Sequence, residues 1–527
     1  MIQIAQILFI LSVLVILHEF GHYITAKIFK VRVEKFYLFI DAGFSIVKKK
    51  IGDTIWGIGW LPLGGYVKLS GMIDESMDTE QLNQEPQPWE FRSKPAWQRL
   101  IIMLGGIIVN ILLAWFIYTT IFSTVGQKYI STEVIQKNGL SFGEVGLNAG
   151  FKNGDKIVSV DGQLQPKFNW LVMDVLLSDE LVIDRNGQKV VLHLSDEQIK
   201  QILGREGKGF IKARTELNML YVDSIYKNNK VALMQKDILL GINDTKLDYF
   251  DQLNDSLHKN KNKEVNLLVS RNGQEVKVPI KVTEQFSHGM DSIAGINLDS
   301  TFDNFYIKDV VSENNKKALQ EGDKIVSVTG QDTKLYSQFR DYLSANKGKQ
   351  ISLDILRENK PMAVMVAVDA KGKLGVQFNE KKMNSDYEIT NHLSFAQSAS
   401  AAVKESWLLF VYNIKQFKLI LKPTTGAYKQ VKSPVGIARQ LPDTWDWEFI
   451  WNFTALFSIG LAFMNLLPIP GLDGGHALFT IAEMVTGRKL SNKAAEYVQT
   501  AGMIILLTLM ALTFGKDIYQ LIMDKLF

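Results

Sequence analysis

The chain has 527 residues, 46% hydrophobic and 22% charged, with a formal net charge of +4 and no cysteine. That length exceeds one domain at roughly 150 residues each, and so small a charge makes no case for nucleic-acid binding. The missing cysteines exclude disulfides, a thiolate nucleophile and any cysteine-ligated metal site.

Apolar residues are segregated along the chain. Ile2 to Leu17 are almost wholly apolar, and the run resumes through Phe29. With no Lys or Arg in Met1–Gln6 and no small-residue cleavage site, residues 1–30 read as a first membrane span rather than a signal peptide. A second span occupies 100–124, about 25 uncharged residues, enough to cross a bilayer with some tilt. The third lies within 448–480 and breaks at Pro468 and Pro470; the fourth lies within 500–522. Lys and Arg crowd residues 31–99, Lys48, Lys49 and Lys50 among them, and recur as Arg488, Lys489 and Lys493. Both loops therefore belong on the cytoplasmic side, with residues 125–447 outside. The lysines from Lys404 to Lys432 pull the other way, but large translocated regions obey this rule weakly.

Inside span one the chain reads His18-Glu19-Phe20-Gly21-His22. Helix positions i and i+4 share a face, so both imidazoles can bind one zinc ion with Glu19 beside them as a base. In an apolar helix such groups are costly unless paired or functional. A catalytic zinc takes three protein ligands and keeps an open position. The best third ligand is Asp473, in Asn465-Leu466-Leu467-Pro468-Ile469-Pro470-Gly471-Leu472-Asp473-Gly474-Gly475. The prolines break the helix and the glycines permit unwound backbone, which survives at membrane depth only inside protein or beside a watery cavity. Read alone, Asp473 is also a candidate N-cap of the next helix, though less so than a ligand, and His476 a neighbouring polar group or a packing residue.

Residues 31–99 read as short strands and turns with an apolar, glycine-rich tip, Ile55 to Tyr66, carrying Trp56 and Trp60. Beyond span two the chain repeats itself. Gly154-Asp155-Lys156-Ile157-Val158-Ser159-Val160 recurs as Gly322-Asp323-Lys324-Ile325-Val326-Ser327-Val328, and more weakly as Lys236-Asp237-Ile238-Leu239-Leu240-Gly241-Ile242. Each copy precedes a helical segment and then a strand pair, clearest where Glu264–Val269 turns at Asn272-Gly273. The expected units are 127–215, a degenerate 216–300, and 301–382. Residues 394–447 form an amphipathic helical linker with Trp407, Phe410 and Phe417, lying on the outer membrane surface or packed as an ordinary helix.

Together, a zinc motif in span one, the Asn-x-x-Pro-x-Pro-x-Leu-Asp-Gly segment in span three and the large insert resemble the site-2 protease family of intramembrane zinc metalloproteases. The branch that regulates sigma-E is the nearest in pattern. The resemblance covers nearly the whole chain. It implies a polytopic α-helical membrane protein with four transmembrane helices, a membrane-associated β-loop and an inserted α+β region of tandem PDZ-like domains. It further implies Zn2+ held by His18, His22 and Asp473, with Glu19 as general base. Gly106 and Asn110 match a family glycine and asparagine in span two, although Ile107 stands where a proline often follows. By resemblance Asn110 would help hold the substrate backbone; the residues alone allow a plain interhelical hydrogen bond as well. The implied substrates are single-pass membrane proteins, anti-sigma-factor-like, or signal-peptide remnants, trimmed beforehand by an upstream site-1 protease. The implied setting is the lipid bilayer of the bacterial inner membrane, with the PDZ-like region periplasmic and the active site near the cytoplasmic side. The rival reading is an inactive zinc-binding scaffold that senses envelope proteins; the retained Glu19 speaks against it.

Overall fold

The computed structural model describes residues 2–61, 64–72, 85–204, 210–217, 220–225, 233–234, 237–282, 292–293, 296–300, 306–331, 336–357, 360–378, 387–442, 444–489 and 491–526. The chain divides into two compact units, one of residues 1–127 with 391–527 and the other of residues 128–390.

The first unit is built on helices α1 (Ile2–Ile28), α2 (Ala96–Thr124), α3 (Phe395–Ile420), α4 (Trp447–Leu466), α5 (Asp473–Thr486) and α6 (Asn492–Leu526). Among the described residues four helical stretches are long and apolar enough to cross a membrane: α1, α2, α4 and residues 497–520 of α6. At 1.5 Å per residue, the 29 residues of α2 run about 43 Å, well over a ~30 Å hydrocarbon core. The protein is thus a polytopic membrane protein. Helix α4 ends at Leu466, just before Pro468 and Pro470, and α5 restarts at Asp473, so the third apolar segment is two helices joined by unwound backbone. Helix α3 is a packed helix. Its Ala399 carbonyl accepts from Trp115 Nε1 of α2 at 3.1 Å, and Phe410 and Phe417 meet Phe463 of α4 edge-on.

Between α1 and α2 stands a four-stranded sheet of β1 (Val33–Leu38), β2 (Ile40–Ile51), β3 (Thr54–Leu61) and β4 (Tyr66–Leu69), in the order β2-β3-β1-β4. Strands β1 and β3 are parallel; the other two pairings are antiparallel. The sequence places an apolar tip at Ile55 to Tyr66, but Thr54–Leu61 is a strand and the tight turn is at Gly52 and Asp53. A strand was hidden there because its three apolar faces, Ile55, Trp56 and Ile58, are interrupted by glycines that normally punctuate turns. Pro62 and Leu63, in the same expected tip, lie outside the described residues.

In the second unit one motif is built three times. Strands Lys156–Val160, Ile238–Ile242 and Lys324–Val328 are each followed by a ten-residue helix, Phe168–Leu177, Phe250–Lys259 and Tyr336–Ala345. A hairpin then follows in each case, its first strand pairing antiparallel with the strand that opens the copy. The pairing slips at the same place every time, between Ile157 and Ser159, Leu239 and Gly241, and Ile325 and Ser327. Each copy has its own apolar core, around Leu171 and Ile183, Leu253 and Leu267, and Phe339 and Leu353.

The repeated aspartate explains why the motif is kept. Asp155, Asp237 and Asp323 are almost fully buried. Each takes the backbone N–H three residues upstream, closing the turn, and each receives a two-pronged hydrogen bond from an arginine at the hairpin end, Arg185, Arg271 and Arg357. Such paired geometry is what lets a carboxylate leave water.

Candidate metal centre

Helix α1 presents His18 and His22 on one buried face, their Nε2 atoms 3.4 Å apart. The sequence keeps α1 and α2 in near contact. A Cβ on Gly21 would lie 2.3 Å from the Gly105 carbonyl oxygen, and one on Gly106 would lie 2.5 Å from both His18 Cε1 and His22 Nε2. Only glycine fits at either site. On α2, Ile102, Gly106 and Asn110 recur every fourth residue and so form one stripe. Running against α1, that stripe puts the Ile102 carbonyl 2.8 Å from His22 Nδ1 and the Asn110 amide 3.1 Å from His18 Nδ1, with Gly106 between.

Asp473 comes from the first residue of α5. Extended backbone at Leu467 and a left-handed turn at Gly471 (φ 95°) carry the chain out of α4. Gly474 then lets the new helix start against the carbonyls of Leu466 and Leu467, where a Cβ would be 2.3 Å from an oxygen. At the other end of α5, Glu483 accepts from Arg99 of α2 at 2.6 Å, a largely buried ion pair. The result is that Asp473 Oδ2 stands 3.2 Å from Nε2 of both His18 and His22.

These three atoms are the candidate metal-ligating group among the described residues, all within 4.8 Å of one another. A tetrahedral zinc bound at about 2.0–2.1 Å spaces its donors about 3.3 Å apart, and the observed edges are 3.2, 3.2 and 3.4 Å. Asp473 Oδ2 is also a buried acceptor with no hydrogen-bond donor, a state that costs free energy unless a cation or donor fills it. Two imidazoles, one carboxylate and a fourth side left open are a fitting donor set for zinc.

The other expected residues sit around this triangle. Glu19 is half-buried, and the backbone at Val67 of β4 is its hydrogen-bonding neighbour. A Cβ on Gly65, just before β4, would meet Val15 and come within 3.3 Å of Glu19 Cγ, so β4 lies directly against the helix face that bears the acid. Asn110 is fully buried, and its carbonyl accepts from Ser458 Oγ of α4 at 2.7 Å. His476 lies on α5 and is not part of the ligand triangle. One residue at the site went unassigned from sequence. Asn465, on the last turn of α4, places its Nδ2 3.1 Å from His18 Nε2. Its position eight residues before Asp473, inside the same proline-broken segment, was the available signal.

Comparison with known proteins matches the chain along nearly its whole length. The pattern described as peptidase family M50 matches residues 6–509. The regulator of sigma-E protease RseP of Escherichia coli is 24% identical over 532 residues, covering 98% of this chain and 99% of that protein. A Vibrio cholerae protein whose name includes the words zinc metalloprotease is 24% identical over 524 residues, covering 97% of each chain. RseP of Salmonella typhimurium is 24% identical over 533 residues, with 98% and 99% covered.

Proposed function

This chain belongs to peptidase family M50 and is an intramembrane zinc metalloprotease, and on that premise we propose how its own residues divide the work. His18, His22 and Asp473 hold the zinc, Glu19 is the general base, and the substrates are transmembrane segments of single-pass proteins, or signal-peptide remnants, already cut outside the membrane. The observation that carries the ligand assignment is the orphaned Asp473 Oδ2 at 3.2 Å from two imidazole nitrogens. Bound there, zinc supplies Lewis acidity, polarising a carbonyl and bringing the acidity of water towards neutral pH.

The chain's own groups do the rest. Glu19 takes a proton from the attacking water and returns it to the leaving amine. The Asn465 amide, an N–H donor 3.1 Å from His18 Nε2, would stabilise the charge that a carbonyl oxygen gains during attack. Helical substrates have their carbonyls tied up and must unwind first. Among the described residues strand β4 stands at the end of its sheet, next to β1, and this sheet beside Glu19 is where an unwound segment would be added as a strand. Exposed Phe44, Ile46 and Trp60 on the same sheet suit immersion in the membrane interface.

By the distribution of Lys and Arg, the sheet and the metal site lie toward the cytoplasmic side of a bacterial inner membrane and the three repeats toward the periplasm. The repeats are PDZ-like domains, three rather than two, supported by the common Asp–Arg pair and the common slip in pairing. They act as a filter that turns away substrates still carrying bulky outer domains. The names of the RseP relatives favour a sigma-E-type regulatory pathway, with an anti-sigma-factor-like substrate.

The test is Glu19→Gln, expressed in a strain lacking the protein, with proteomics of membrane fragments. Single-pass stubs or signal-peptide remnants should accumulate as they do with no protein at all. Stub levels equal to those with the unaltered protein would remove Glu19 as the base.

A further inference from the structure

The geometry points to Asn110 as the residue that positions His18 for the metal, accepting from Nδ1 through its side-chain oxygen, rather than as a substrate-holding group. This rests on the zinc assignment proposed above. A neutral imidazole carries one N–H and one lone pair. At His22 the choice is settled, because Nδ1 faces the Ile102 carbonyl, which can only accept, at 2.8 Å. Nδ1 therefore bears the proton and Nε2 offers its lone pair to the triangle.

The same logic applies to His18. Its Nε2 is a corner of the ligand triangle, 3.2 Å from Asp473 Oδ2, and a nitrogen that binds zinc must offer its lone pair to the ion, which leaves the proton on Nδ1. That proton needs an acceptor. The partner of His18 Nδ1 is the Asn110 amide, 3.1 Å away. With the NH2 group turned to Nδ1, two donors confront each other and Oδ1 is buried without a partner. Turning the amide by 180° moves no heavy atom appreciably and sets Oδ1 against Nδ1–H. As placed, Oδ1 meets no donor among the described residues, so the imidazole decides.

Three further facts tie Asn110 to this task. It is 0% exposed and so offers no surface to a substrate backbone. Its own carbonyl is held by Ser458 Oγ, which fixes the residue against α4. It also lies two helical turns along α2 from Ile102, the spacing that serves two histidines one turn apart from one antiparallel helix. Helix α2 thus orients both zinc-binding imidazoles, through a backbone oxygen at one and a side-chain oxygen at the other. Partners of this kind fix the tautomer and ring plane of a ligand, and losing one costs about 10–100-fold in metal affinity.

The experiment is zinc titration of the metal-stripped full chain in lipid nanodiscs, against a chromophoric chelator, for the unaltered protein, Asn110→Leu and Asn110→Asp. Leucine keeps the volume without an acceptor; aspartate keeps an acceptor and cannot donate when ionised. The expected result is zinc affinity down at least tenfold for Asn110→Leu and within a few-fold of the unaltered protein for Asn110→Asp. Equal affinity in Asn110→Leu, or a loss in Asn110→Asp as large as in Asn110→Leu, overturns the assignment. If Asn110→Leu fails to fold, Asn110→Asp decides alone: retained zinc supports an accepting Asn110 and lost zinc overturns it. An unaltered protein that binds no zinc would instead sink the ligand assignment on which this rests.

Discussion

Gly106→Ala is the sharpest test of the metal centre, because it adds one carbon at a point whose surroundings are known. The new Cβ would lie 2.5 Å from His18 Cε1, 2.5 Å from His22 Nε2 and 2.7 Å from His18 Nδ1. Carbon contacts settle at about 3.5–4.0 Å, so either helix or rings must retreat by about 1 Å. The rings have little freedom to do so. His22 is held by Ile102 and His18 by Asn110, and both Nε2 atoms are shared with Asp473. Metal sites tolerate ligand shifts of only about 0.2 Å, so the displacement should disperse the triangle. Zinc affinity should fall at least tenfold, and a misplacement of about 1 Å at the chemistry should cost on the order of 10²-fold in cleavage rate. The assay is the same chelator competition, with thermal unfolding as a check. Gly105→Ala is the control. Its Cβ would strike the Gly21 carbonyl oxygen at 2.5 Å, which is backbone, so helix packing and stability should suffer first. Zinc affinity and cleavage within twofold of the unaltered protein for Gly106→Ala would refute the geometry.

Asp473→Ala removes the shared ligand atom and should lower bound zinc; full retention in elemental analysis of the purified protein would strike Asp473 from the ligand set. Glu19→Gln should keep its zinc while losing about 10²–10⁴-fold in cleavage, a pair of readings that separates a base from a ligand. Arg214 lies between the first two repeats, where it grips Asp251 with two hydrogen bonds, caps the Asn138 carbonyl and stacks 3.8 Å over Tyr249. Arg214→Met leaves Asp251 buried and unpaired, worth about 3–5 kcal/mol, and should lower the unfolding midpoint of the repeat region by roughly 10 °C; no shift in calorimetry would show the pair to be incidental. Asp237→Ala should open the middle repeat alone, detected as new protease cutting confined to residues near 237–282.

The two histidines, the acid between them and Asp473 were legible because each broke a local rule. Polar groups in an apolar helix and prolines at membrane depth are anomalies that need a reason. The repeats were legible in the aspartate that opens each Ile/Val- or Ile/Leu-rich strand, preceded by glycine in the first and third copies, but Arg185, Arg271 and Arg357 were not, since each lies 30 or 34 residues from its aspartate and looks like any surface arginine at a hairpin end. Strand β3 was obscured by Gly57 and Gly59. A Cβ on Gly57 would collide with the Tyr37 ring, and one on Gly59 with the Ile40 carbonyl, so these glycines serve close packing where the sequence reads them as turn signals. Asn465 stands inside the proline-broken motif with no sequence sign of its task, because only folding brings it to His18.

The arrangement of hydrogen-bonding roles explains why the site needs a cation. The Ile102 carbonyl commits the outer nitrogen of His22 and Asn110, in the orientation proposed above, that of His18, so both inner nitrogens then present lone pairs. Asp473 Oδ2 presents another, with no donor to meet it. Glu19 adds a second acid on the same face of α1. Acceptors converging on one buried point repel one another, and apolar surroundings strengthen that repulsion. The start of α5 offsets part of it, since Asp473 sits at the positive end of a helix dipole, but that effect is worth about 0.3–2 kcal/mol. A divalent ion removes the conflict at one stroke. The glycines that bring α1 and α2 together, the ion pair that holds α5 and the break that delivers Asp473 therefore build a cluster that is unfavourable alone and favourable around zinc.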